Sequence, residues 1–169
     1  MATINSIDDL VNFIKTYTYD DGKKEFNKPG VIISINNVTI SETIKNTTTI
    51  YINSQNITDT HIKTFASLLN KFTSLEILYL SVNKIGDSGA IHLANNLPAS
   101  LTHFALSSNK IGDTGVIKLA KKLPSSLKEL NLYDNMISDA GAIELAKNLP
   151  VSLEILYLGV NKIGDLGAI

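Results

Sequence analysis

The side chains able to do chemistry are few and regularly placed. Histidines stand at His61, His92 and His103, aspartates at Asp87, Asp113, Asp139 and Asp165, and lysines at Lys84, Lys110 and Lys162. A calcium cage needs roughly six to eight converging oxygens, which one carboxylate per repeated segment does not supply. The histidines fall at different places in the repeat, so they share no metal site. His103 and Glu129 occupy equivalent positions on neighbouring units and are expected to pair as ions. No nucleophile elbow, phosphate loop or zinc motif is found, and cysteine, tryptophan and arginine are absent. Disulfides, thiolate chemistry and an arginine finger are therefore excluded. No cofactor is implied, and the reading is non-enzymatic. The net charge of −1 and the lack of aromatics among the lysines argue against nucleic acid. No apolar run is long enough to cross a membrane and no leader is visible, so the expected location is cytoplasmic.

What positions these residues is a repeat. Asn83, Asn109, Asn135 and Asn161 recur every 26 residues, as do Leu75, Leu101, Leu127 and Leu153. Leu78, Phe104, Leu130 and Leu156 form a second apolar column, Leu80, Leu106, Leu132 and Leu158 a third, and Ile85, Ile111, Ile137 and Ile163 a fourth. Within one unit, Leu78-Tyr79-Leu80 alternates as a short strand does. Residues 86–97 place Ala90, Leu93, Ala94 and Leu97 on one helical stripe, with Asp87 as expected N-cap and Pro98 as stop. Each unit therefore reads strand, turn, helix, turn. The links are too short for antiparallel pairing of successive strands, so the strands stack in parallel with the helices opposite, and only stacked units share a continuous core. The Asn column is expected to satisfy the backbone at the strand-to-turn corner and to link to the next repeat. The second glycine column (Gly89, Gly115, Gly141, Gly167) is expected to permit close packing or an unusual backbone angle.

The motif Leu75-x-x-Leu78-x-Leu80-x-x-Asn83, recurring at 101–109, 127–135 and 153–161, resembles the leucine-rich repeat family. The following Ile-Gly-Asp-x-Gly and Leu-Ala-x-x-Leu are similar to its ribonuclease-inhibitor-like subclass. The resemblance implies an α/β solenoid, a right-handed βα superhelix with a concave parallel sheet and convex helices, used as a protein-binding scaffold. Residues 48–169 hold about five units. The first is the weaker Ile50-Tyr51-Ile52 unit, with Gln55 in place of the ladder Asn, and the last is incomplete. Residues 1–47 read as an N-terminal cap, a helix from Ser6 to about Tyr17 followed by short β-like runs around Asn36-Asn37. The last unit lacks its full helix. Its open edge is read as truncation of a longer array, or as an edge that invites self-association.

The alternation leaves one set of side chains facing away from the core. It includes Tyr51, Tyr79, His103, Glu129, Asn131, Tyr133 and Tyr157, together with Ala105. These positions vary between units while the core columns do not. Tyrosine joins contact area to a polar handle, the composition of a binding face. The leading expectation is a module that binds a protein or peptide on this face. The alternatives are a regulator of a small GTPase, since GTPase-activating proteins acting on Ran share this repeat subclass, and a secreted microbial effector or adaptor.

Overall fold

The structure is a computed structural model that describes residues 47–167. Most of the expected cap (1–46) lies outside the described residues. The elements alternate without exception: β1 (Thr49–Tyr51), α1 (Asp59–Leu69), β2 (Ile77–Tyr79), α2 (Asp87–Ala94), β3 (His103–Ala105), α3 (Asp113–Ala120), β4 (Glu129–Asn131), α4 (Asp139–Lys147) and β5 (Ile155–Tyr157). The five strands form one sheet in sequence order, every pair parallel. The helices pack in the same order on the other side, each against its neighbour. Strands sit about 4.8 Å apart while packed helices need roughly 8–10 Å, so such a stack curves with its sheet on the inside. This is an α/β repeat solenoid.

The core follows the columns. Ile50, Leu78, Phe104 and Leu130 point inward from the middle of their strands and are buried. Leu75, Leu101 and Leu127 seal one end of the layer, and Ile57, Ile85, Ile111 and Ile137 the other. From the helices come Phe65, Ala90, Val116 and Ala142. Alanine and glycine share the buried side of α2 to α4 with Leu93, Val116, Leu119 and Leu145, the small residues letting neighbouring helices approach closely. The helix predicted over 86–97 is shorter, ending at Ala94, with Leu97 packed against the core beyond it.

The Asn ladder stitches the units, and it points backward. Asn83 Oδ1 accepts the N–H groups of Gln55 and Ile57 in the preceding unit, both at 3.0 Å. Its Nδ2 donates to Ile52 O at 2.8 Å and to Leu80 O at 2.9 Å. Asn109, Asn135 and Asn161 repeat the pattern, accepting from Ile85, Ile111 and Ile137. The expectation of a link to the following unit is thus reversed. The amide sits where the strand has already turned, so the orphan groups within its reach belong to its own corner and to the unit before.

The Asp column also departs from expectation. Asp87 does not cap its own helix: the N-cap of α2 is Gly86, with no side-chain cap bond. Its carboxylate instead accepts the N–H groups of Gly112 and Gly115, at 2.7 and 3.0 Å, at the start of α3. Asp59 does the same for Gly86, Asp113 for Ser138 and Asp139 for Gly164. As the first helical residue, each Asp projects sideways, toward the free N–H groups of the next helix rather than its own. This explains the second glycine column. A Cβ on Gly115 would lie 2.7 Å from Asp87 Oδ1, and one on Gly89 2.6 Å from Asp59 Oδ1. Close approach, not an unusual backbone angle, requires these glycines.

Serine forms a further ladder of the same period. Ser100, Ser126 and Ser152 donate their hydroxyls to Leu75 O, Leu101 O and Leu127 O, each at 2.7 Å. Among the described residues no buried side-chain nitrogen or oxygen lacks a partner.

Candidate binding face

The strand register brings the predicted face together in rows. Thr49, Ile77, His103, Glu129 and Ile155 run across the sheet in one row, and Tyr51, Tyr79, Ala105, Asn131 and Tyr157 in the next. Tyr133 stands just beyond β4, past Asn131. Each predicted face residue therefore projects from the same side of the sheet, one or two per strand, because a two-residue period leaves it nowhere else to go.

The rows are not uniform. At one end the rings of Tyr51 and Tyr79 meet edge to face, with centroids 5.0 Å apart and planes at 76°, a geometry that fixes both rings. Burial raises the Tyr79 hydroxyl above its ordinary pKa, and the nearby Glu129 and Tyr51 push the same way. At the other end Tyr133 and Tyr157 are exposed. Gly159 makes room for Tyr133, whose ring would stand 3.1 Å from any Cβ placed there. Between the two tyrosine groups lies a low floor. Ala105, expected to face outward in the open, is only 7 % exposed, because its methyl is overshadowed by the longer side chains on either side. Ser107 Oγ donates to Ser81 Oγ at 2.9 Å along the same floor.

The expected ion pair between His103 and Glu129 does not form, although the two residues are register partners. Thr102 Oγ1 donates to Glu76 O at 3.0 Å and lies 2.8 Å from His103 Nδ1. The ring is thereby engaged by the residue beside it in the chain rather than by its register partner. Asn131 is also occupied, its Oδ1 accepting the Tyr133 N–H at 3.1 Å. His61 and His92 lie on α1 and α2, across the layer from His103. His61 Nδ1 accepts the Thr58 N–H at 3.1 Å as part of the α1 cap. Among the described residues no group of three or more His, Cys, Asp or Glu gathers where a metal ion could be held, and no helix is long and apolar enough to cross a membrane.

The turns that follow the strands share a backbone feature. Val82, Ser108, Asp134 and Val160 all adopt left-handed backbone, with φ of 57°, 51°, 53° and 53°. Serine and aspartate tolerate that region; a β-branched residue there is an outlier costing on the order of 1–3 kcal/mol.

Three stretches of the chain, residues 73–94, 98–120 and 124–146, match the leucine-rich repeat family. The fold is similar to the solved structure titled Leiomodin-1 Actin-Binding Site 2, with a TM-score of 0.61 and 22 % identity over 73 % of this chain and 80 % of that one. No curated protein matches by sequence.

Proposed function

We propose that this leucine-rich repeat chain is a non-enzymatic interaction module that takes a protein partner on the outward face of its sheet. The observation that carries the reading is the face itself: tyrosines at both ends of a low floor, on a scaffold whose every turn is pinned by the Asn and Asp ladders. A rigid, aromatic-bearing surface loses little entropy on binding. The similarity to a solved domain named for binding actin, itself a protein, agrees with a protein partner. We read the repeats as the ribonuclease-inhibitor-like kind, supported by the α-helix that follows each of β1 to β4. Five strands at about 4.8 Å span roughly 20 Å. That suits a peptide or one helix of a partner better than a standard interface of about 800 Å² per side.

The test is a triple variant, Tyr79→Ala, Tyr133→Ala and Tyr157→Ala, used as bait beside the unmodified chain and a variant of the helix side, Lys118→Ser in α3 with Lys122→Ser just after it. Loss of the captured partner by the tyrosine variant alone, with unchanged circular dichroism, is the expected result. Capture undiminished by the tyrosine variant would overturn the reading.

A further inference from the structure

The turns at the C-terminal ends of the strands form a second surface, distinct from the tyrosine face. Their backbones run in ladder register: Val82 N donates to Ser107 O, Lys110 N to Ile85 O, Met136 N to Ile111 O and Lys162 N to Ile137 O, all at 2.8 Å. The side chains on either side of each ladder Asn therefore line up in two rows at close to strand spacing. The row before the Asn holds Val82 and Val160, 53 % and 60 % exposed. The row after it holds Lys84, Lys110, Met136 and Lys162, all exposed, with Met136 at 46 %. Asp134 is the one acid in the two rows, in the row before the Asn.

The two valines are the anomaly. The intervening units place Ser108 and Asp134 at the same left-handed turn, where short polar side chains fit. Val82 and Val160 take on the strain of a β-branched residue and remain more than half in water, so the fold recovers little of it by burial. Backbone strain that packing does not explain points to a surface feature serving something outside the fold.

We infer that this turn ridge is a docking site for an acidic amphipathic helix of a partner protein. Charge complementarity selects the sign: within the two rows Lys84, Lys110 and Lys162 stand against one acid, Asp134, and the carboxylates of Asp87, Asp113 and Asp139 behind them already accept N–H groups of the next unit. Val82 and Val160 at the two ends of one row, and Met136 in the other, select apolar residues beside the acids, and methionine adapts to varied partners. Geometry selects the helix: residues spaced i to i+3 or i+4 rise about 4.5–6 Å, matching the step of about 4.8 Å from one turn to the next. A helix laid across the turns thus meets each unit with one acid and one apolar residue. With no aromatics or arginine on the ridge, stacking and bidentate phosphate contacts are unavailable to a nucleic acid.

The test measures binding of the full chain to a helical peptide of four Glu-Leu-Ala-Ala units by fluorescence anisotropy. A Lys-Leu-Ala-Ala counterpart, a polyglutamate and a single-stranded oligonucleotide serve as comparisons. The Glu-Leu peptide should bind most tightly, and replacing Lys84, Lys110 and Lys162 with serine should weaken it about tenfold. The double variant Val82→Asn with Val160→Asn should raise Tm and weaken the same peptide, while Tyr79→Ala with Tyr157→Ala leaves its binding within about twofold. Equal binding of the lysine peptide, or tighter binding of polyglutamate or the oligonucleotide, would overturn the inference. So would a valine variant that gains stability with undiminished binding.

Discussion

The heptapeptide Ser-Leu-Glu-Ile-Leu-Tyr-Leu occurs twice, at Ser74–Leu80 and Ser152–Leu158. In both copies the Ile-Leu-Tyr core is a three-residue parallel strand with the same pointing of side chains. The environments differ sharply. In the first copy Leu75, Leu78 and Leu80 are fully buried; in the second Leu153, Leu156 and Leu158 are only partly so, and Ile155 and Tyr157 are exposed. β2 is flanked by β1 and β3, whereas β5 pairs with β4 alone among the described strands. Sequence decides which way a side chain points, and neighbouring units decide how much water it loses. The stabilisation of a repeat resides largely in its two interfaces.

The largest expected difference between the copies lies in their central leucines. Leu78→Ala should cost about 2–5 kcal/mol, the range for a fully buried leucine, and Leu156→Ala less than half of that, read from urea midpoints at constant slope. Equal losses would break the comparison, since burial would then not be the controlling quantity.

The ladder amides come next. Asn135 is buried and holds Ile111 N–H, Leu106 O and Leu132 O. Its loss strands backbone groups away from water and should cost about 3 kcal/mol. Asn161 makes the equivalent bonds where solvent reaches. There water can substitute, and Asn161→Ala should cost about 1 kcal/mol by the same denaturation experiment.

The smallest effect concerns acid. Burial alone would push the Asp113 carboxyl up, but the Ser138 hydroxyl at 2.5 Å, the N–H groups of Ser138 and Gly141 and the Lys162 charge outweigh it and hold the pKa below its ordinary value. A carboxylate with a depressed folded pKa contributes stability that is complete above its unfolded value, near 3.9. That contribution disappears as pH falls through the folded value. Asp113→Asn should therefore be less stable than the unmodified chain at neutral pH, with the gap closing below about pH 4. Ser138→Gly, which restores the residue the sister units carry at Gly86, Gly112 and Gly164, should move the acid limb part of the way. A gap that persists unchanged at low pH would show that the carboxylate charge is not what the helix senses.

Much of the fold was legible because its determinants are local and periodic. The Leu78, Phe104 and Leu130 columns, the β-α alternation and the outward direction of Tyr51, Tyr79, Tyr133 and Tyr157 follow from side-chain periods of two and 3.6 residues. The candidate face was legible in outline and not in detail. That Ala105 sinks beneath its neighbours depends on side-chain lengths from other strands. His103 bonds the adjacent Thr102 hydroxyl and not its register partner Glu129, a choice between two local partners that residue spacing does not reveal. The Asp column misled for a related reason: an aspartate at a helix start reads as a cap for that helix, and the sequence does not reveal a second helix offering its N–H groups alongside. The serine ladder had a visible period, but serine at a turn is too common to stand out.

From sequence alone came the period, the parallel stacking, the inward columns and the absence of any cysteine or arginine chemistry, since each depends on residue type and spacing within one unit. Tertiary structure alone decided three things. The Asn and Asp ladders reach backward and sideways between units, the two copies of one heptapeptide differ in burial, and Val82 and Val160 sit in left-handed turns. All three depend on what a neighbouring unit places within hydrogen-bonding or contact distance, and a 26-residue period records only that the neighbours are alike, not how they meet.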